Sequence, residues 1–358
     1  MSAGPLPRLA IRVDGGRDPL ACVELAKAAE SAGLSSVWFA ENPFTRGALP
    51  AMAACAAVTT RIGIGIGVFN PYNRHPTLMA MEFAALDELA RGRAVLGIGS
   101  GIAAAVSRMG IANDRPIAAL RDAVHIVRAM LAGEPVTYRG RVFAADGVRL
   151  GFPPPRRDPP IYLAAMNPQS LRLCGRIADG LIISNMTAPG YSRQAVAIVR
   201  EVAAAAGRPP PEIVQYVPCV ARPERSEARR IVKEAVGAML IHFWPADGVW
   251  PTSKEAIVAA SGIARREFAA ALDRLRAGAN AGDTLDERFA DAFAIAGTAS
   301  DCLDQARRYR AAGVTELALT FGGAQPREDI AYLGATLAAA GERLAKPLAS
   351  PAILPHLR

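Results

Sequence analysis

The segment Gly63-Ile64-Gly65-Ile66-Gly67-Val68-Phe69-Asn70-Pro71-Tyr72-Asn73-Arg74-His75-Pro76 combines residue types that a cofactor site needs. Glycine at every second position of an apolar run strips one face of a strand of side chains, so a flat ring can lie against its backbone. The polar residues 70–76 then form a loop leading into a helix. A second cluster, Gly97-Ile98-Gly99-Ser100-Gly101, repeats the pattern. Gly65, Gly67, Val68, Asn70, Gly99 and Ser100 are the candidate ring contacts. Neither cluster is the dinucleotide fingerprint, which requires glycine at i, i+2 and i+5. Val68 and Asn70 stand at the last position in the first cluster, Ile102 and Ala104 in the second. Taken singly, each cluster also fits glycines that merely ease strand packing.

Such residues need a scaffold, and the chain supplies one. Short β-like runs at 9–13, 36–40, 62–68, 94–98, 160–164, 180–184, 213–221 and 315–320 alternate with helical stretches. The helices are expected at 19–32, 49–59, 77–90, 116–132, 169–177, 192–206, 224–240 and 327–344. Eight such units predict an α/β fold, a (β/α)8 TIM barrel. Two insertions exceed the scheme, after strands four and seven. Residues 133–159 read as a β-hairpin followed by the Pro153-Pro154-Pro155 linker, and 242–312 as extra helices. Insertions of this size commonly shape the mouth of an active site. Residues 1–346 thus form one domain, and 347–358 a proline-punctuated tail.

Composition narrows the function classes. The chain has 358 residues, half of them hydrophobic, and no apolar run near the roughly 20 residues of a membrane span. With no signal pattern at its start, a cytoplasmic protein is expected. The net charge of +8 does not indicate nucleic acid: only four of the 41 basic residues are lysine, and no basic run exceeds two. It favours an anionic cofactor or substrate. The five cysteines, Cys22, Cys55, Cys174, Cys219 and Cys302, are dispersed, so neither a metal site nor a disulfide framework is expected.

In this order along a barrel, the motifs resemble the bacterial luciferase-like superfamily, and within it the coenzyme F420-dependent reductases typified by methylenetetrahydromethanopterin reductase. The resemblance rests on Ala32-Gly33-Leu34-Ser35-Ser36-Val37-Trp38-Phe39-Ala40-Glu41 at the second strand and on residues 61–76 with their Arg-His-Pro loop at the third. Gly92-Arg93-Ala94-Val95-Leu96-Gly97-Ile98-Gly99 matches the fourth, and residues 160–168 and 177–185 the fifth and sixth. Phe293-Ala294-Ile295-Ala296-Gly297-Thr298 is similar to the turn ahead of the last helices.

The resemblance implies a cis peptide at Gly67-Val68, forming a bulge behind the cofactor's central ring. It implies a phosphate held by the loops after strands five and six, through Ala165, Met166, Asn167, Ser170, Ser184 and Asn185. Asn167 and Ser170 also suit a helix cap, and the two roles are compatible. Glu41 and Asn42 occupy the place of the family's catalytic Asp-His pair, with Glu41 the candidate for handling a proton or holding the ring nitrogens. Departures are equally plain: Arg12 and Ile102 stand where the reductases carry acidic residues. Those departures argue against methanopterin as the substrate.

The resulting expectation is an oxidoreductase transferring a hydride between reduced coenzyme F420 and a small imine, enone or carbonyl, acting as a homodimer. The alternatives are an FMN-dependent monooxygenase and a non-catalytic flavin-binding protein on the same barrel. His75 reads either as a base or, preferably, as part of a structural turn with Arg74 anchoring the helix start. The cluster His242-Phe243-Trp244 with Trp250 reads equally as a roof over the ring or as core packing.

Overall fold

A computed structural model describes residues 4–340. Its strands, in chain order, are β1 (Arg8–Val13), β2 (Ser36–Phe39), β3 (Gly63–Phe69), β4 (Ala94–Ile98), β5 (Val136–Arg139), β6 (Ala144–Val148), β7 (Ile161–Ala164), β8 (Gly180–Ile183), β9 (Glu212–Ala221), β10 (Ile295–Gly297) and β11 (Glu316–Phe321). All neighbours in the main sheet run parallel, in the order β1-β2-β3-β4-β7-β8-β9-β11, and β11 returns to β1. This closes a (β/α)8 barrel. β10 adds to the sheet beside the end of β9, pairing Ile295 with Cys219. The antiparallel β5–β6 pair is the expected hairpin.

The helices start where the sequence stiffens the chain for them. Pro19, Pro76, Pro116, Pro168, Pro189 and Pro326 each sit in the first turn of a helix, where the missing N–H costs nothing. Among the described residues, no helix is long and apolar enough to cross a membrane. All five cysteines are free and buried.

Inward and outward residues alternate along barrel strands, so the interior fills in layers. The lower layers hold Trp38, Tyr162 and Tyr216, with Ala10, Val95, Ile182, Val214 and Ala318 between them. Trp38 and Tyr162 stack at 5.9 Å between ring centroids. The Trp38 indole N–H donates to the fully buried carboxylate of Glu316 at 3.0 Å, which also takes the Ser36 hydroxyl and, at 3.2 Å, Arg8 Nε.

This filling corrects the reading of the alternating glycines. A Cβ at Gly65 would lie 2.6 Å from the Trp38 ring, and one at Gly180 equally close to Tyr162. Gly65 makes room for the protein's own indole and does not border the cavity above.

The insertions also differ from expectation. The hairpin follows the helix Pro116–Leu131 and packs on the outer wall, where Tyr138 and the backbone of Val142 bind Asp122. None of its residues reaches the cavity. Residues 242–312 do supply helices, but also β10 and the helix Ala299–Ala311, while Arg225–Phe243 runs three residues past its expected end. The short helix Ala103–Arg108 after β4 was not foreseen. The last helix closes at Ala339, and the tail 347–358 lies outside the described residues.

Overpacking a filled interior costs about 1–3 kcal/mol. Gly65→Ala should therefore lower the urea-unfolding free energy by that amount. An unchanged midpoint would show that the indole is not confined.

Candidate active site

In the top layer of the barrel the inward side chains are small, Arg12 excepted. Arg12, Ala40, Gly67, Gly99, Ala164 and Ser184 project there, and together they floor a cavity of about 580 Å³ at the C-terminal ends of the strands. That is the face on which barrel enzymes build their sites. The volume is in the range of small-molecule and cofactor pockets.

Gly67 meets the interior plug from above. A Cβ there would fall onto the Tyr216 hydroxyl, whose oxygen lies 3.5 Å from the Gly67 carbonyl. The Gly67-Val68 peptide is cis, as the resemblance implied, and the β3–β4 register shifts between Ile66 and Phe69. Gly99 yields to Val68, since a Cβ would stand 2.6 Å from its Cγ2. Asn70 then locks the rim. Its Oδ1 accepts from the Tyr72 N–H at 3.0 Å, while its amide fills the space a Cβ on Gly101 would need. Gly101 has φ +70°, so glycine suits the turn twice over.

The loops after β7 and β8 form the opposite wall and are pinned from behind. Fully buried Gln215 donates to the Ser184 carbonyl at 3.3 Å and accepts from Ser192 at 2.8 Å. The Tyr191 hydroxyl donates to the Met166 carbonyl. Asn167 and Ser170 make a complete capping box on the helix Pro168–Ile177, with Asn167 Oδ1 accepting from the Ser170 N–H at 2.9 Å. The cap takes one N–H, and Pro168 has none, so the Gln169 N–H remains for an anion at this helix end. Asn185 supplies a second feature. It is buried at the cavity wall, and its Oδ1 has no hydrogen-bond partner. Amide O and N exchange by a flip, so this side chain can present its NH2 to a ligand oxygen. A floor of glycine and mostly small side chains, an orphaned amide and a helix start fit a flat ring carrying a phosphate.

Of the expected site residues, Glu41, Asn42, Gly67, Val68, Asn70, Gly99, Ser100, Met166, Asn167, Ser170, Ser184 and Asn185 all line the cavity. Gly65 and Ala165 do not: Gly65 faces Trp38, and Ala165 is buried behind the wall. Arg74 exceeds the role of an anchor. It donates to Glu41 at 2.7 Å and to Glu82 at 2.6 Å, with its guanidinium 4.1 Å over the Phe69 ring. Burial opposes its charge, but the two carboxylates outweigh it and raise its pKa. Glu41 is thus a carboxylate already matched by a cation.

Tyr216 stays a phenol, because burial pushes its pKa far up, only partly opposed by Arg12. The aromatic cluster divides. Trp244 and Trp250 pack on Phe268 in the core at 4.9 and 5.6 Å, whereas Phe243 reaches the cavity. Tyr216, Phe44, Asn73 and Met109 line the cavity and were missed. Only Tyr216 left a signal, an inward position on strand seven.

The luciferase-like monooxygenase family model matches residues 7–316. A 5,10-methylenetetrahydromethanopterin reductase of Methanolobus tindarius is 31% identical over 307 residues, covering 84% of this chain and 90% of that protein. The fold is shared with the coenzyme F420-dependent tetrahydromethanopterin reductase of Methanopyrus kandleri, at a TM-score of 0.80 and 24% identity over 92% of this chain and 98% of that one. It is shared too with the oxygenating constituent of 3,6-diketocamphane monooxygenase of Pseudomonas putida, solved with FMN. There the TM-score is 0.71 and the identity 19%, covering 97% of this chain and all of that one.

His75 shows the structural role directly. Its Nδ1 accepts from the Thr77 N–H at 3.3 Å and caps the helix Pro76–Leu89, which follows the Asn73-Arg74 edge of the cavity. Burial lowers its pKa below the ordinary 6.5. The folded state therefore prefers neutral imidazole. Its contribution is complete above pH 6.5 and is lost as pH falls through the lower folded-state value. His75→Asn, which keeps a capping oxygen but does not titrate, should flatten that loss in urea unfolding from pH 7.5 to 5. Identical pH profiles would exclude the imidazole cap as its source.

Proposed function

Because the chain belongs to the luciferase-like monooxygenase family, we propose that it is a coenzyme F420-dependent oxidoreductase acting on a small organic substrate with a C=N, C=C or C=O bond. Bound in the cavity, the reduced deazaflavin would supply the hydride. The observation that carries the reading is the backbone floor at Gly67, Val68 and Gly99, opposite a wall that offers Asn185 and the start of helix Pro168–Ile177 to a phosphate. The reductase from Methanolobus tindarius supports it from the side of sequence.

The chain's own work is then mainly positioning, which a direct hydride transfer requires above all. Gly67 and Val68 would back the ring, and Tyr216 beneath Gly67 prevents the floor from sinking. Glu41 holds Arg74 at the rim and lines the cavity with exposed Asn42, where the two could hold polar groups of the bound ring. Ile102, about half exposed, and Arg12 line the cavity where the family resemblance leads one to expect acidic residues, and this argues against methanopterin as the substrate. A homodimer goes with this reading: Val58, Leu78, Met81 and Leu89 stand exposed on neighbouring helices, an apolar face of the kind subunits cover.

FMN carries a similar tricyclic ring and a phosphate, and a neighbour of the same fold binds it. Titration of the protein with oxidised coenzyme F420 and with FMN, followed by fluorescence quenching, separates the two. The deazaflavin should bind at least about tenfold more tightly, a difference of roughly 1.4 kcal/mol. Preference for FMN would transfer the protein to oxygen-dependent chemistry, and binding of neither at about 100 μM would remove the cofactor assignment.

A further inference from the structure

Arg12 is the charged group that the reading above leaves without a task. It projects from β1 into the top layer of the barrel, lines the cavity, and has a side chain only 9% exposed. Its guanidinium carbon lies 5.2 Å from the centroid of the Tyr216 ring, so its position is fixed against the plug under the floor. Nη1 donates to Asp14 Oδ1 at 2.5 Å and to Thr320 Oγ1 at 3.4 Å. Nε is buried with no acceptor, and Nη2 makes no hydrogen bond among the described residues. The Nε and Nη2 hydrogens run parallel along one edge of the guanidinium, the edge that matches the two oxygens of a carboxylate. A buried donor left unmade is costly; Arg93, Arg208 and Arg222 also carry an unpartnered Nε, but Arg12 lines the cavity, where an arriving acceptor can satisfy it.

The neighbouring charges do not satisfy this edge. Asp14 and Thr320 border a small crevice on the outer side of Arg12, and neither lines the cavity. The Asp14 side chain is 52% exposed, a setting in which an ion pair is weak and exchanges readily. Arg74, the other arginine of the cavity wall, is matched by both Glu41 and Glu82. Arg12 is therefore the cavity's cation with binding capacity to spare. Around the cavity mouth stand Phe44, Ile102, Met109 and Phe243, which favour an apolar body.

We propose that Arg12 anchors the substrate through a carboxylate, so that the substrate class is an unsaturated monocarboxylate with an apolar body. This rests on the cavity being the active site of the oxidoreductase proposed above. One guanidinium edge suits a monoanion; a phosphate monoester, doubly charged, calls for more cation than the cavity leaves unmatched.

The test uses protein loaded with oxidised coenzyme F420 and four probes: benzoate, methyl benzoate, benzamide and phenyl phosphate. Binding is read by saturation-transfer NMR, and the deazaflavin affinity is measured separately by quenching. Benzoate should bind at least tenfold more tightly than its ester or amide. Arg12→Gln should abolish that preference while leaving deazaflavin affinity within threefold, and Arg12→Lys should restore part of it. Asp14→Asn, a surface change, should tighten benzoate by removing a neighbouring negative charge that repels it and partly neutralises Arg12, which keeps the test decisive if Arg12→Gln does not fold. Equal binding of benzoate and its ester, a preference for phenyl phosphate, no benzoate binding, or a preference that survives Arg12→Gln would overturn the proposal. Should the protein refuse the deazaflavin, the function proposed above fails. The same probes on the unloaded protein then still decide whether Arg12 holds a carboxylate.

Discussion

Three of the protein's own rings occupy the barrel interior, and their fit against glycine sets the depth of everything above them. Trp38 presses on Gly65, Tyr162 on Gly180 and Tyr216 on Gly67. Each glycine gives up a side chain so that a ring on a nearby strand can cross the barrel. Interiors pack to crystal density, so the plug cannot be compressed to deepen the cavity. Above it, Ala40, Gly99, Ala164 and Ser184 are too small to fill the next layer. The cavity is thus the place where the alternation of inward residues changes from large to small. The Arg8–Glu316–Trp38 hydrogen bonds hold the plug from below, satisfying a carboxylate that would otherwise be ruinously buried.

The charges follow a similar division. Arg74 spends its guanidinium on two carboxylates and a ring face, and so stiffens the rim between the second and third strands. Arg12 spends one edge on a half-exposed carboxylate and keeps the other. Glu41, matched by Arg74, belongs to the framework that orients the rim. The polar network of Gln215, Ser184 and Ser192 does for the opposite wall what Arg74 does for this one.

Much of this was legible in the sequence because it depends on local pattern. The eight strands emerge as apolar runs, and first-turn prolines mark six helix starts. Glycine spacing located the floor, but it could not say which ring each glycine accommodates. That depends on register across strands: the β2–β3 pairing sets Trp38 beside Gly65, while Tyr216 meets Gly67 only because the barrel closes. Ala165 was misplaced for a similar reason, since one residue along a strand end turns a side chain from cavity to wall. Phe44, with φ +62°, and Met109 reach the cavity from loops that carry no periodic signal. The hairpin was found, but its docking on Asp122 is a long-range contact that no local pattern announces.

If the protein binds the proposed deazaflavin, the glycine floor, and not the apolar mouth, is its platform. A crystal structure of the protein with oxidised coenzyme F420 tests it most directly. The ring should lie on Gly67, Val68 and Gly99, with its phosphate against Asn185 and the Gln169 N–H. A ring seated between Phe44 and Phe243 with the floor left bare, or a phosphate held away from Asn185, would contradict it.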